Sequence, residues 1–382
     1  MISIKEKSKC SGCHACFSVC PQKCIQMKSD EEGFLYPVVD TQKCIECGVC
    51  EKVCPIISKP IKKNINESVV AYAAYTKNDE IRKNSSSGGI FSEFAVSVLN
   101  NGGIVFGAAF NENWQVVHTY IDDVSQLEKI QGSKYVQSTI GNAFVDVERF
   151  LKEDKTVLFT GTPCQINGLY SYLKKDYNNL ITQDIVCHGV PSPKVWNKYV
   201  YHMTKIEEKE LKKVSFRNKD DGWENFNMKL VYQSGEEYAK SHKQDSFMQA
   251  FLKNMCLRPS CYKCSFKGKE RVSDITIADF WGVNKVLPEC NDNKGISLAF
   301  INSKKGRQLF DNISNNILSQ KIEDIDDAIR YNPAMMSSVR PHANRSVFMK
   351  KLDKSNFDVL LKKYLAPSYV KRLLNRIRIS FK

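Results

Sequence analysis

From Val69 onward the chain alternates continuous apolar runs with stretches whose apolar residues recur every three or four positions. Ile104–Phe110, Val157–Phe159 and Ile181–Val186 read as buried strands. Ile90, Phe91, Phe94, Ala95, Val98 and Leu99 share one face at helical spacing, as do Val195, Tyr199 and Met203. Strands alternating with helices predict an α/β domain with a mostly parallel or mixed sheet, running over residues 69–345. Residues 59–68, Lys59-Pro60-Ile61-Lys62-Lys63-Asn64-Ile65-Asn66-Glu67-Ser68, are polar and aperiodic and predict a linker. Residues 1–58 form a separate module and residues 346–382 a basic tail, so the whole is α+β with a large α/β part.

The first module is defined by cysteines. Cys10, Cys13, Cys16 and Cys20 are spaced C-x2-C-x2-C-x3-C-Pro, and Cys44, Cys47, Cys50 and Cys54 repeat the run, again before Pro. This is the ligand spacing of a bacterial two-cluster ferredoxin, in which three thiolates wrap one iron–sulfur cube and the fourth crosses to the other. The expected sets are Cys10, Cys13, Cys16 and Cys54 for one 4Fe–4S cluster and Cys44, Cys47, Cys50 and Cys20 for the second. Zinc takes paired C-x2-C units closed by four ligands rather than two runs of four. Disulfides suit so dense a cluster at one end of a long chain less well. Cys24 falls outside the pattern and reads as a small buried apolar residue.

Composition narrows the setting. The 382 residues carry a formal charge of +14, but each 4Fe–4S core with four thiolates contributes about −2, so three clusters would leave roughly +8. Much of the excess lies between Lys350 and Lys382, and no nucleic-acid module accompanies it. Within that tail Tyr369, Val370, Leu373, Leu374 and Ile377 share one helical face opposite Lys371, Arg378 and Lys382. Such a helix packs on its own domain or, more weakly, lies on an anionic membrane surface. The start of the chain lacks the apolar region of a secretory signal, and no run approaches a membrane span. Fifteen cysteines and oxygen-sensitive clusters point to a reducing cytoplasm.

Further constellations lie in the α/β part. Asn84-Ser85-Ser86-Ser87-Gly88-Gly89 precedes the Ile90 helix, where hydroxyls and amides serve either as caps or as an anion site. Gln131-Gly132-Ser133-Lys134-Tyr135 is a glycine turn that either places Lys134 on a phosphate or stays at the surface. No G-x-G-x-x-G follows a strand, so an ordinary Rossmann dinucleotide site is unsupported. Cys164 and Cys187 fall at two expected strand tips, and Cys256, Cys261 and Cys264 lie downstream; five thiols suffice for a third cluster if they meet in space. Cys290 reads as a buried thiol. His188 is a candidate proton shuttle and Asp279 a candidate for orienting a cofactor, while Phe280 and Trp281 read as structural.

The segments Ser86-Ser87-Gly88-Gly89, Gly132-Ser133-Lys134-Tyr135, Thr162-Pro163-Cys164-Gln165, Cys187-His188-Gly189-Val190-Pro191-Ser192-Pro193, Leu257-Arg258-Pro259-Ser260-Cys261-Tyr262-Lys263-Cys264 and Ala278-Asp279-Phe280 together resemble the coenzyme F-420 hydrogenase/dehydrogenase beta-subunit family over about residues 1–300. The resemblance implies FAD on the α/β domain beside a 4Fe–4S cluster. It carries Cys164, Cys187, Cys261 and Cys264 over as ligands of a third cluster, with Cys256 in reserve, and Ser87, Gly88, Gly89, Lys134 and Thr162 as FAD contacts. FAD adds hydride chemistry that clusters lack.

The expectation is an iron–sulfur flavoprotein oxidoreductase that reduces or oxidises a small organic substrate. Its donor would be a one-electron carrier such as ferredoxin, or reduced deazaflavin coenzyme. The fused ferredoxin module favours the one-electron donor. Surface-polysaccharide metabolism is a setting that the resemblance suggests. An electron-transfer subunit serving a separate catalytic partner is the alternative.

Overall fold

A computed structural model describes residues 1–58, 69–205 and 208–365. The linker 59–68 and the amphipathic pattern at 369–382 lie outside the described residues.

In the N-terminal module β1 (Ile25–Ser29) pairs antiparallel with β2 (Leu35–Val39). The two cysteine runs flank this hairpin and are built alike. Gly12 and His14 in the first, and Glu46 and Gly48 in the second, all have left-handed backbone, with φ of 69°, 65°, 52° and 69°. These reversals bracket the second cysteine of each run, so the chain coils around a centre instead of extending.

The larger part is built on a sheet of eight strands: β3 (Val70–Thr76), β4 (Ile104–Phe110), β5 (Val116–Ile121), β6 (Val157–Gly161), β7 (Leu180–Ile185), β11 (Ile275–Asp279), β12 (Ser297–Ile301) and β13 (Ile317–Ile322). Its order is β13-β3-β12-β11-β7-β6-β4-β5. The central β11, β7, β6 and β4 run parallel, and both flanks pair antiparallel, so the sheet is mixed. A second, three-stranded antiparallel sheet joins β8 (Leu211–Asn218), β9 (Asn227–Tyr232) and β10 (Glu237–Ser241).

Helices cover the sheets as the apolar spacing requires. The Ile90–Asn100 helix, on the large sheet, buries Ile90, Phe94, Ala95, Val98 and Leu99, and the Pro193–Lys205 helix, beside the small one, buries Val195, Tyr199 and Met203. Residues 346–365 do not begin a free tail. They lie in helices Arg345–Lys351 and Phe357–Leu365, which bury Phe348, Met349, Leu352, Phe357, Leu360 and Leu361 against the body. Their lysines face water while the apolar stripe packs inward. No helix among the described residues is long and apolar enough to cross a membrane.

The module and the α/β part are tightly joined. Arg345 holds Glu32 through two bonds of 2.9 and 2.6 Å, and Gln137 Nε2 donates to the Ser11 carbonyl at 3.0 Å.

Candidate functional site

The cysteines ring cavities; among the described residues no three His, Cys, Asp or Glu side chains close around a single metal ion. Cys20, Cys44, Cys47 and Cys50 line one cavity in the module. Burial, with the nearness of Cys10 and Cys54, pushes the Cys13 thiol up to about 12. Cys16 is raised for the same reasons by burial and then by Cys13, Cys10 and Cys54. Cys10, Cys13, Cys16 and Cys54 are thus near one another, while Cys20, Cys44, Cys47 and Cys50 share the wall of that cavity. Cys24 is buried beside these last four, its Sγ 3.4 Å from that of Cys20.

A second cavity, of about 270 Å³ and termed the third cavity after the third cluster expected there, opens where the carboxyl ends of β6 and β7 meet the module. Cys164, Cys187, Cys261 and Cys264 line it, together with Ser8, Ser11 and Ile56 from the module. Each cysteine arrives by local geometry. Thr162-Pro163 starts the Pro163–Leu173 helix with Gln165 closing a capping box, which fixes Cys164 in the first turn. Cys187 follows the end of β7, and Cys261 and Cys264 sit on a short 3-10 turn begun by Pro259. Burial raises the Cys164 thiol well above its ordinary value, and the neighbouring Cys264, Cys187 and Cys261 add to it; Cys261 is pushed up to about 12 by burial and by Cys187. Thiols kept neutral by burial become thiolates together only when nearby positive charge compensates them.

Cations stand by that cavity. Lys267 reaches the Cys187 carbonyl, and Arg271 lines the wall with its Nε and Nη2 lacking a protein partner. Those N–H groups are suited to donate to sulfur. His188 lines the cavity as well, held through Nε2 to Asn254 Oδ1 at 2.7 Å. Cys256 is fully buried in the apolar core and does not line the cavity. Cys290 is half-buried rather than buried, donating to Gln320 Oε1 at 3.1 Å, because its short turn lies at the rim of the sheet.

The glycine–serine loop lies on the same edge of the sheet. Gly88 packs so closely on β3 and β12 that a Cβ would lie 2.5 Å from the Ala74 carbonyl, and Gly89 caps the following helix with φ of 87°. Ser87 Oγ donates to the Ile296 carbonyl at 2.7 Å and Gly88 N to Ser297 Oγ at 3.0 Å. Ser87 and Gly88 thus shape the loop with their own polar groups. Thr162 sits apart from this loop, its hydroxyl 3.1 Å from Cys164 Sγ.

Two lysines meet at this loop. Lys134 Nζ donates to the Gln131 carbonyl at 2.8 Å, and burial pulls its pKa down to about 7. Lys219, at the end of β8, donates to the carbonyls of Arg82, Ser87 and Lys294, and burial, then the nearby Arg82 and Arg217, lower it to about 7 as well. Their hydrogen bonds go to neutral oxygens, so an anion would find both unsatisfied in charge. Lys219 escaped the sequence reading, since Arg217-Asn218-Lys219 has no motif around it.

Beside them Asp279 grips the buried Arg217 at 2.8 and 3.0 Å and accepts from Trp223 Nε1 at 3.0 Å. Trp223 stacks on Trp281 with ring centres 4.8 Å apart. Trp281 is 42% exposed, so it is less purely structural than its apolar neighbour Phe280.

One extended strap, residues 131–139, ties these parts together. Ser133 N donates to Ser86 Oγ at 2.7 Å, Tyr135 OH accepts from Arg217, and Gln137 bonds Ser11 and Arg258. Ser138 Oγ meets His118 at 2.8 Å and Gln165 at 2.9 Å.

Three family models match the chain. Residues 9–56 match the 4Fe-4S dicluster domain, residues 71–144 the N-terminal domain of the coenzyme F420 hydrogenase/dehydrogenase beta subunit, and residues 154–326 the C-terminal domain of that subunit. Among solved structures, a chain of the F420-reducing [NiFe] hydrogenase complex from Methanosarcina barkeri is similar at 19% identity with a TM-score of 0.46, covering 79% of this chain and 94% of that one. No curated protein matches.

Proposed function

The chain belongs to the coenzyme F420 hydrogenase/dehydrogenase beta-subunit family, and on that premise we propose that it is an iron–sulfur flavoprotein oxidoreductase passing electrons between 4Fe–4S clusters and FAD. The family and its N-terminal dicluster domain make it an iron–sulfur electron-transfer protein. The observation that carries the finer reading is the third cavity, in which four cysteines of the α/β part and residues of the cluster module share one wall.

In this reading Cys10, Cys13, Cys16 and Cys54 hold one cluster, Cys44, Cys47, Cys50 and Cys20 the second, and Cys164, Cys187, Cys261 and Cys264 the third. Buried Arg271 and Lys267 offset the negative charge of thiolates in that cavity. Ser87, Gly88 and Gly89 hold the loop open at a helix N-terminus, and Lys134, with Lys219, supplies positive charge for a pyrophosphate. Thr162 holds Cys164 through its hydroxyl and would contact the flavin. FAD, when bound, exchanges a hydride with an organic substrate and single electrons with iron.

The fused module favours a one-electron donor such as ferredoxin over reduced deazaflavin coenzyme, because a hydride donor acting at the flavin needs no chain of clusters. A second reading, an electron-transfer subunit for a separate catalytic partner, draws support from the beta-subunit description of the matching family. The test is cofactor content after anaerobic purification. About twelve irons and one FAD per chain support the flavoenzyme; about eight irons and no flavin leave the dicluster module alone and favour the second reading. Turnover of a small organic acceptor by the purified chain with an artificial one-electron donor would then separate enzyme from subunit.

A further inference from the structure

Arg258 is fully buried between the cluster module and the α/β part. Its Nε donates to the Cys10 carbonyl at 2.7 Å, one Nη to the Leu35 carbonyl at 2.9 Å and the other to Gln137 Oε1 at 2.9 Å. The Nη on Leu35 also lies 3.6 Å from Cys10 Sγ. The guanidinium rests over the Tyr36 ring at 4.3 Å. Gly12 makes room for it: a Cβ there would come within 2.8 Å of the guanidinium. Among the described residues no acidic side chain is bonded to Arg258, and its donors are aimed at the Cys10 loop and its neighbours.

The backbone of the same residue reaches the third cavity, since the Arg258 carbonyl accepts from Cys261 N at 2.9 Å. One side chain and three residues of backbone thus connect a thiol of the module to a thiol of the α/β part. The surroundings of Cys20, Cys44, Cys47 and Cys50 differ. Glu46 is on the wall of their cavity, no Lys or Arg among the described residues is, and the N-terminal ammonium beside it is paired with Glu51 at 3.3 Å. A buried cation donating N–H to a ligand sulfur favours the reduced, more negative state of a cluster.

We propose that Arg258 is a positioning residue that seats the cluster held through Cys10 against the α/β part and raises its reduction potential above that of the second module cluster. Electrons entering the module then collect on the side facing the third cavity. The proposal rests on the reading of Cys10 as a cluster ligand.

The experiment is an anaerobic redox titration of the full chain followed by electron paramagnetic resonance, on wild type, Arg258→Gln and Arg258→Lys. With iron content unchanged, Arg258→Gln should move one module potential downward and leave the other in place, and Arg258→Lys should restore part of the shift. Two unmoved potentials, or two that move together, overturn the proposal. If Arg258→Gln fails to retain iron, Arg258→Lys decides: an intermediate potential supports the role, and a wild-type value overturns it. Wild-type protein with fewer than about eight irons would instead remove the ligand reading itself.

Discussion

Cys13 lies directly on the bare backbone of Gly168. A Cβ at position 168 would sit 2.8 Å from the Cys13 Cβ and 3.1 Å from its Sγ. Gly168 is buried within the Pro163–Leu173 helix, where glycine ordinarily costs ~1 kcal/mol against alanine. Here the helix forgoes that propensity so that the cysteine loop can approach. Gly168→Ala should destabilise the protein by about 1–3 kcal/mol through overpacking and lower its iron content. Denaturant unfolding and iron analysis check both.

The third cavity gives a cysteine series. Serine in place of Cys164, Cys187, Cys261 or Cys264 should each drop iron from about twelve to about eight per chain while leaving the module signals intact. Cys256→Ser and Cys290→Ser should leave iron unchanged, since neither residue lines the cavity. Equal iron across all six variants would remove the third cluster.

If Lys134 and Lys219 hold the proposed flavin, its binding should depend on pH. With both pKa values held near 7, the free protein carries the two protons at pH 6 and releases them as pH rises. An anion favours the ammonium forms, so above pH 7 binding must take protons up, and affinity should fall by up to ~tenfold per pH unit per lysine. Flavin fluorescence titrations from pH 6 to 9 measure this; Lys219→Met should flatten the slope, and a wild-type profile already flat would rule out both lysines as anion contacts. Without flavin the same groups make folding stability rise from about pH 7 toward their ordinary value of 10.5, because the unfolded chain then holds protons that the folded one has lost.

Arg217 and Asp279 form a buried pair whose loss is asymmetric. Arg217 is only 5% exposed, and its Nε already lacks a partner. Asp279→Asn should cost about 3–5 kcal/mol by stranding the guanidinium, whereas an apolar double replacement, Arg217→Met with Asp279→Leu, should recover most of it. Urea unfolding followed by tryptophan fluorescence reads both the stability and the Trp223–Trp281 stack.

The cysteine runs were legible because their spacing is local and their ligand geometry follows from it. β4, β6, β7 and the Ile90 helix were legible because their apolar residues are contiguous or periodic. What escaped reading was set by tertiary contact. Lys219 matters through burial against three carbonyls drawn from distant segments. Arg258 stood within a recognisable segment, yet only the folded chain brings Cys10, Leu35 and Gln137 around its guanidinium. Residues 346–365 were hidden by their lysines, whose charge masked the stripe of Phe348, Leu352, Phe357 and Leu361. Cys290 reads as a buried thiol only in the sequence; in the fold its turn meets Gln320 on the edge strand and leaves it half-buried.

The strap from Gln131 to Thr139 touches the glycine–serine loop at one end and the module at Ser11 in its middle. Its contacts are set by residue number, so an insertion or deletion of a single residue there would slip every one of them at once. The glycine–serine loop and the cluster module therefore share a ruler: neither can be repositioned by changing the length of this segment without misaligning the other, and change at either must come from side chains or from surfaces elsewhere.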